Sequence, residues 1–356
     1  MKITFIGDIM PARYVGSKYR KQPYQIVNEK VLKKLKDSEY VIANLESPVT
    51  EDATSDGHHL SFKTHPDILK EFGFVDCFSL SNNHINDCST LGMDETVDFL
   101  YKYKFLWNGL YEDRYLPHVI GKAGQKCAIF TCTDVMNYKF ENGCHWNILK
   151  VDDLYLDEVI KKYKDDGYFV VLYAHVGMLF TRFPNPPIRR IMHRKIDIGV
   201  DTIVTVHPHV LGGMEYYKGK PIFYSIGDFV MDGSSYRRRI AAILDIEIEN
   251  SIINTWKITP TIINKDLETE FPSSRINKQI LKSWDHVTSV LSKVKDNYPQ
   301  EFDKLYKKEM LQHTLSTLRF LIDDKGLLGM TKHLRMRARD VSVMRKWLTS
   351  RRSSVR

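Results

Sequence analysis

The stretch FVDCFSLSNNH, residues 74–84, decides the fold class of this chain. Its first part, Phe74–Leu80, is a short apolar and β-branched run that is typical of a buried strand. The polar run Ser81-Asn82-Asn83-His84 follows, and the apolar spacing of Thr90–Tyr103 then predicts a helix. Because functional loops of α/β sheets lie at the carboxyl ends of strands, this order predicts an α/β protein whose site includes the loop.

Strands and helices alternate on both sides of this stretch. The predicted strands are Lys2–Ile6, Tyr40–Ala43, Phe74–Leu80, Cys127–Thr131, Tyr168–Ala174, Asp201–Val206, Pro221–Ile226, Arg239–Glu249 and Ile252–Ile263. The predicted helices are Gln25–Lys36, Pro66–Phe72, Thr90–Tyr103, Asp152–Lys164 and Ile188–Ile198. The alternation indicates an α/β sandwich of βαβ units, and the last three strands indicate an antiparallel second half.

The composition changes after Phe271-Pro272-Ser273-Ser274. The stretches that follow bear many Lys and Arg residues and are helical by their spacing: Arg275–Lys295, Glu301–Ile322 and His333–Thr349. We therefore predict a main domain over residues 1–266 and a basic helical extension over residues 267–356. The segment Thr331–Arg356 holds nine Lys or Arg against a single acid, which equals the whole net charge of +8, so the main domain is close to neutral. That distribution excludes a uniformly basic nucleic-acid binder.

Length and composition place the chain among ordinary globular proteins. Its 356 residues are 43% hydrophobic and 27% charged, which is enough to bury a full core. No apolar run reaches the length of a membrane span, and the amino terminus enters Gly7-Asp8 without a signal-type segment. Five cysteines without a CxxC pair give neither a disulfide framework nor a zinc-finger spacing. We therefore expect a protein of the reducing cytoplasm.

Side chains suited to metal binding recur directly after the predicted strands. They are Asp8, Glu46, Asn83, His175, His207 and His209. Taken singly, each has an ordinary structural reading, such as a turn residue or a core histidine. The run His207-Pro208-His209 favours metal more, because the proline stiffens a loop that carries two imidazoles. Together, the carboxylate, amide and imidazole groups suit Mn²⁺, Fe²⁺ or Zn²⁺ better than Ca²⁺, and one or two ions are expected.

Several motifs together resemble those of the CapA-type capsule and poly-γ-glutamate synthesis proteins. They are Gly7-Asp8-Ile9-Met10, Asn44-Leu45-Glu46, Asn82-Asn83-His84, His175 with Gly177, His207-Pro208-His209-Val210-Leu211, and the run Lys218–Val230. The resemblance covers roughly residues 1–245. It implies kinship with the calcineurin-like metallophosphoesterases, and hence a sandwich of two packed sheets flanked by helices.

The same resemblance implies roles for single residues. The six side chains named above become the metal ligands, Glu46 stands where the phosphoesterases bridge two metals, and His84 matches their catalytic histidine. Three places depart from the pattern. The run His175-Val176-Gly177-Met178 replaces the family's frequent His-Trp-Gly followed closely by Glu. Met10 replaces a ligand histidine, although a thioether is a poor ligand for a hard ion, and Asp228 replaces a usual asparagine.

The predicted function is that of a metal-dependent hydrolase in the biosynthesis of a capsule or cell-surface polymer, either poly-γ-glutamate or polysaccharide. A bound divalent ion lowers the pKa of its water from about 15.7 towards ~7, which gives a hydroxide, with His84 as general acid. The bond cleaved would be a phosphoester or a γ-glutamyl amide. The alternatives are a general metallophosphodiesterase and a non-catalytic scaffold of a polymer synthase complex, and Met10 favours the scaffold.

The end of the chain predicts a partner of its own. Val341, Met344 and Leu348 fall at helical spacing among basic residues, a composition suited to an anionic membrane surface. Residues 331–356 would then hold the enzyme at the inner face of the membrane, beside a membrane-bound synthase. The alternative is a basic helix packed on the core. Nucleic acid is not expected here, because the segment lacks an aromatic platform or a known binding motif.

Overall fold

Two β-sheets packed face to face organise the computed structural model, and helices cover their outer faces. The structure describes residues 1–352 apart from 52, 54–60, 123, 138 and 295–297, and it does not describe the side chains of 325 and 327–352. The strands are β1 (Lys2–Ile9), β2 (Tyr40–Leu45), β3 (Cys77–Ser79), β4 (Leu106–Asn108), β5 (Leu110–Tyr111), β6 (His118–Lys122), β7 (Gln125–Thr133), β8 (Asn147–Ile148), β9 (Phe169–His175), β10 (Thr202–Val206), β11 (Met214–Tyr217), β12 (Lys220–Phe223), β13 (Asp228–Val230), β14 (Ile240–Glu249), β15 (Ile252–Ile263) and β16 (Thr269–Glu270).

The helices fall mainly between these strands. They are α1 (Arg13–Lys21), α2 (Glu29–Lys36), α3 (Ser89–Lys102), α4 (Leu154–Asp165), α5 (Pro186–Asp197), α6 (Ser274–Lys293) and α7 (Tyr298–Arg352), with short 3₁₀ helices at Pro66–Phe72 and Tyr236–Arg239. Within α7 only Gly326 leaves the helical conformation, with a φ of 68°. In the described part of the chain, none of the helices combines the length and the low polarity that a membrane span requires.

The first sheet has the order β16-β15-β14-β1-β2-β3-β4, with β13 beside the end of β1. Its half from β1 to β4 is parallel, whereas β14 and β15 are antiparallel. The second sheet has the order β11-β12-β10-β9-β7-β6, and β5 and β8 form a separate pair. Carboxyl ends of parallel strands from both sheets therefore meet on one side of the molecule.

Three apolar layers hold this arrangement together. Between the sheets, Phe5 of β1 and Tyr173 of β9 are buried in one cluster, with their ring centroids 5.6 Å apart. A second layer lies between the first sheet and α1 to α3, and includes Phe78. A third lies between the second sheet and the helices α4 to α7, where Val287 and Leu291 of α6 are fully buried. The extension therefore packs against the second sheet.

The predicted fold class is confirmed: an α/β sandwich of two packed sheets flanked by helices, with a C-terminal helical extension. Most element boundaries shift by one to three residues. The helix predicted from Gln25 begins at Glu29, where the side chain of Asn28 accepts a hydrogen bond from the Lys30 amide. Helix α1 was not predicted, because it is mostly polar and buries only Val15. The boundary between residues 266 and 267 stays a prediction.

One pairing prediction was wrong. The strand predicted at Pro221–Ile226, found as β12, is parallel to β10 and not part of an antiparallel second half. Its antiparallel neighbour is β11, reached through a two-residue turn at Lys218-Gly219 with φ values of 50° and 76°. Positive φ at both turn residues is the conformation that suits tight hairpins. The predicted membrane-binding side chains of residues 331–356 lie outside the described part of the chain.

Candidate metal centre

The strand ends of both sheets deliver the predicted donor side chains to one buried place. Asp8 comes from β1, Glu46 follows β2, and Asn83 lies in the loop after β3. His175 ends β9, and His207 and His209 follow β10. All six side chains belong to residues that are at most 8% exposed. The two sheets thus contribute three donors each.

Glycine at position 7 allows the first of these strands to approach β13 closely. A Cβ on Gly7 would lie 1.7 Å from the carbonyl oxygen of Gly227, so no larger residue fits there without a shift of the backbone. The Asp8 amide donates to that carbonyl over 3.2 Å, and the register sets Asp8 opposite Asp228. The Gly7-Asp8 motif therefore allows close strand packing and places Asp8 among the candidate donors.

One donor group consists of Asp8, Glu46 and His209, each with a ligand atom within 4.8 Å of the others. The His209 Nδ1 lies 3.7 Å from Asp8 Oδ2, and its Nε2 lies 3.8 Å from Glu46 Oε1. These separations exceed a hydrogen bond and leave space for an ion between the atoms.

A second group consists of Glu46, His175 and His207. The Nε2 of His175 lies 3.4 Å from Glu46 Oε1, 2.9 Å from His207 Nδ1 and 2.7 Å from Asn83 Oδ1. The side chains of Glu46, Asn83 and His207 therefore lie close to this nitrogen of His175, so four donor side chains meet here. Because Glu46 belongs to both groups, it occupies the position of a bridging ligand.

The chemistry of Glu46 fits a metal ion. Both carboxylate oxygens are buried without a hydrogen-bond partner among the described residues, although such groups are normally satisfied. Burial, reinforced by the negative charges of Asp8 and Asp228, raises the pKa of Glu46 well above its usual range. A divalent cation would supply the missing partner and the missing positive charge.

The histidines are suited to coordination as neutral imidazoles. Burial lowers the pKa of His175. Burial and the neighbouring imidazoles lower the pKa of His207 well below its usual range. For His209, burial and then the Arg238 charge lower the pKa well below that range. All three rings therefore present unprotonated nitrogens near neutral pH.

A shell of polar contacts fixes the donors. Asp228 Oδ1 lies 2.8 Å from His209 Nδ1, and the Asn44 amide donates to Asp8 Oδ1 over 2.8 Å. His207 and His209 hold φ values of 100° and 56°, a conformation that is costly for residues other than glycine. The loop around Pro208 therefore has a strained backbone conformation, which places the imidazole rings of His207 and His209 among the donors.

The predicted catalytic residue His84 lies beside the donors and has its own carboxylate partner. Its Nδ1 is 2.7 Å from Asp87 Oδ2 and 3.2 Å from the amide nitrogen of Asn137. Its ring packs on Phe62, with centroids 4.6 Å apart. Burial raises the pKa of Asp87, whereas the hydrogen bond with His84 acts in the opposite direction.

Some residues of the site were not predicted from the sequence. Asn44 and Asp228 lie inside the quoted motifs, so their positions were visible but not their contacts. Asp87 could have been found from its spacing three residues after His84. Asn137 carries no local signal, since it reaches the Asn83 amide from a loop after β7.

Met10, the suspected ligand position, contributes to neither donor group. It is 3% exposed and packs with the apolar layer between the first sheet and its helices, which includes Ile9 and Val230. Both donor groups form without it, so the substitution of histidine by methionine at this position does not remove either of them.

The sandwich and the buried carboxylate, amide and imidazole cluster at its strand ends define a class: an α/β protein of two packed sheets with a candidate centre for divalent metal. The chain belongs to the family described as bacterial capsule synthesis protein PGA_cap, whose profile matches residues 2–233. The match includes all six donors and His84, and it ends before the Tyr236–Arg239 turn and before α6 and α7. The resemblance drawn from the sequence motifs is thereby confirmed.

Two relatives are similar over most of their length. The chain is 28% identical to the PGA biosynthesis protein CapA of Bacillus subtilis, over 74% of this chain and 72% of that protein. It is 27% identical to the capsule biosynthesis protein CapA of Bacillus anthracis, over 86% and 80%.

Among solved structures, a candidate 5'-nucleotidase of Staphylococcus aureus gives a TM-score of 0.48 at 13% identity, covering 80% of this chain and 58% of that one. The Haemophilus influenzae NAD nucleotidase gives 0.44 at 14%, covering 87% and 67%.

Proposed function

We propose that this protein is a metal-dependent hydrolase that acts in the biosynthesis of a capsule or other cell-surface polymer, a poly-γ-glutamate or a polysaccharide. The observation that carries the hydrolase proposal is Glu46, a fully buried carboxylate with two unpartnered oxygens at the meeting point of two donor groups. The polymer pathway is supported by the family and by the names of the two CapA relatives.

Two ions could be held by residues that are already in place. Asp8, Glu46 and His209 would hold one ion, and Glu46, Asn83, His175 and His207 the other. Oxygen and imidazole donors in this mixture suit Mn²⁺, Fe²⁺ or Zn²⁺. When bound, such an ion lowers the pKa of a coordinated water towards ~7 and stabilises negative charge on the attacked group.

His84 would act as the general acid. A carboxylate accepts a strong hydrogen bond, so Asp87 directs the proton on Nδ1 towards itself and fixes the orientation of the ring. The Nε2 atom is then the one that can hold a proton for the leaving oxygen or nitrogen. Phe62, which covers the ring, limits the access of water. Such proton transfer is worth roughly 10²–10⁴ in rate.

The bond that is cleaved would be a phosphoester or a γ-glutamyl amide. Both reactions place negative charge on an oxygen of the attacked group and require a proton for the leaving group, which are the two tasks that this site could perform.

The alternatives differ from this proposal in testable ways. A general metallophosphodiesterase would use the same centre on nucleotides or other phosphodiesters. A scaffold of a synthase complex would hydrolyse nothing. Met10 no longer favours the scaffold, because its side chain packs in the core and both donor groups are complete without it.

We further propose that the basic segment 331–356 binds an anionic membrane surface and brings the enzyme to a membrane-bound synthase, at the inner face of the membrane. The support is its composition of nine Lys or Arg against one acid. Removal of residues 331–356 should abolish salt-sensitive binding to anionic vesicles and leave the metal content unchanged. If the protein that retains residues 331–356 does not bind such vesicles at low salt, the proposal is contradicted.

The central experiment combines elemental analysis with a panel of substrates. Wild-type protein is expected to carry stoichiometric divalent metal and to hydrolyse a chromogenic phosphoester or a γ-glutamyl amide. His207→Ala should lose both properties, whereas His286→Ala, which removes an exposed histidine far along the chain in α6, should keep them. Activity confined to a phosphodiester would favour the phosphodiesterase. Metal-loaded protein that hydrolyses none of the substrates would favour the scaffold.

A further inference from the structure

Among the residues that the structure describes, Arg238 is a buried cation without a direct anionic partner. It belongs to the 3₁₀ turn Tyr236–Arg239, just beyond the region matched by the family, and it is 8% exposed. Within the described part of the chain its guanidinium forms no salt bridge, and its Nε has no hydrogen-bond partner. The guanidinium instead contacts a thioether and an aromatic ring: Nη2 lies 3.2 Å from Met231 Sδ, and Cζ lies 5.3 Å from the centre of the Phe180 ring.

The charge of Arg238 reaches the metal centre. Burial raises the pKa of Asp228 to about 7, and Arg238 is the first of the charges that oppose this rise. Arg238 also acts against the raised pKa of Glu46, after burial and the acidic neighbours, and it helps to lower the pKa of His209. Geometry gives the same placement: the guanidinium lies against the Phe180 ring, and the Phe180 amide donates over 2.8 Å to the carbonyl of Pro208, the residue between His207 and His209.

Helix α7 holds the neighbouring residues of the same turn. The hydroxyl of Tyr236 donates to Asp323 over 2.7 Å, and Nη1 of Arg237 donates to the Glu309 carbonyl over 2.8 Å. The guanidinium of Arg239 lies 4.5 Å from the centre of the Phe320 ring. These contacts tie Tyr236, Arg237 and Arg239 to α7, while the Arg238 guanidinium lies against Met231 and Phe180.

Helix α7 also contacts Phe180 and Arg182, which lie in the loop after β9. Glu309 is 2% exposed and accepts Arg182 Nη2 over 2.9 Å, as well as a contact from Arg237. His313 stacks flat on Phe180 at 4.1 Å, and Phe180 lies in turn against Arg238. The series His313, Phe180 and Arg238 thus connects the extension with the metal centre.

A buried guanidinium without a carboxylate partner is costly unless a ligand supplies the anion. Its fork of N–H donors fits the oxygens of a phosphoryl or carboxylate group. A purely structural counter-ion would be expected to contact Asp228 directly, yet Oδ2 of Asp228 is itself unpartnered among the described residues. The arrangement favours a cation kept available for an incoming anion.

We propose that Arg238 is an anion-binding residue of the active site, which takes a phosphoryl or carboxylate oxygen of the substrate, and that α7 positions it by holding the Tyr236–Arg239 turn. This proposal rests on the proposed function and narrows its substrate to one that carries an oxyanion next to the reacting bond. It also makes the extension, which lies outside the family match, part of the site.

The test measures anion binding at known metal content. Inorganic phosphate and glutarate are titrated separately into metal-loaded, full-length protein by calorimetry, and metal is quantified in each sample. We expect saturable binding of one of these probes, and the probe that binds assigns the phosphoryl or the carboxylate source. Arg238→Gln should weaken that binding roughly 10- to 100-fold at unchanged metal content, as expected for loss of a charged hydrogen-bond donor. Arg190→Gln, an exposed arginine of α5, removes the same charge and should bind like wild type.

A second variant tests the role of α7. Glu309→Gln should weaken anion binding in the same direction while metal content is kept, because the turn loses its buried partner. Arg238→Lys keeps the charge without the fork, so it should recover only part of the affinity. It also serves as the deciding variant if Arg238→Gln does not fold, and wild-type affinity in Arg238→Lys would then overturn the proposal.

Other results of these titrations distinguish the role of Arg238 from the proposed hydrolase function. Equal affinity in Arg238→Gln and wild type overturns the role of Arg238, as does wild-type protein that binds neither probe. Loss of metal together with loss of the anion in Arg238→Gln makes Arg238 a counter-ion of the centre and overturns its role as a ligand. If purified wild-type protein binds no metal, the hydrolase proposal is refuted, but the role of Arg238 is not. The same titration on the metal-free protein then decides whether Arg238 binds an anion.

Discussion

Glu46→Gln keeps the shape of the side chain and removes its charge. In the metal-free protein this charge opposes folding, because Glu46 is fully buried, its oxygens are unpartnered in the described structure, and Asp8 and Asp228 lie nearby. A buried unsatisfied polar group costs about 1–3 kcal/mol, and a charged one costs more. We therefore expect the metal-free variant to be at least as stable as metal-free wild type.

The effect of metal should be the reverse. A metal at 100 times its Kd stabilises wild type by about 2.7 kcal/mol. For a chain of this size, that free energy corresponds to a rise in Tm of roughly 4 °C. Because Glu46 belongs to both donor groups, its loss should reduce the rise by more than half for either ion.

The assay is thermal unfolding of both proteins in EDTA and in excess Mn²⁺ or Zn²⁺, with Glu112→Gln as a matched control at an exposed position. The control should follow wild type in both conditions. An equal metal-induced rise in Glu46→Gln would refute the bridging role. A large loss of Tm in EDTA would show instead that Glu46 stabilises the fold without metal.

Three further predictions follow from the contacts of His84, Met10 and Glu215. His84→Asn should keep its metal content and lose roughly 10²–10⁴ in turnover, and an active variant would remove His84 from the mechanism. Met10→Leu, a volume-conserving change in the core, should cost less than about 1.5 kcal/mol in chemical unfolding and leave the metal content unchanged. Burial would raise the pKa of Glu215, but hydrogen bonds from His193, Arg189 and Tyr224 lower it to about 2. Since this value lies below the unfolded pKa of about 4.3, the group contributes about 3 kcal/mol above that pH, which is lost as pH falls towards about 2. Glu215→Gln should therefore flatten the fall of stability between about pH 5 and about pH 2, and parallel curves for both proteins would contradict this.

The sequence by itself determined the class of fold and the identity of the donors. Apolar runs and the polar residues that end them are local features, so β9 ending at His175 and β10 ending before His207 were visible without any tertiary information. The alternation of strands and helices gave the α/β class for the same reason. Weakly apolar elements such as α1, and pairings such as β12 with β10, left no such local trace.

The tertiary structure alone decided how the donors are grouped. Asp8 accepts a hydrogen bond from the His207 amide, 199 residues away, and this contact depends on how the two sheets pack. Packing between distant elements also decides three other features. Glu46 is shared between two donor groups, Met10 lies in the core, and Arg238 belongs to a turn that α7 holds. Each depends on packing between elements distant in sequence, and local spacing carries no information about such distances.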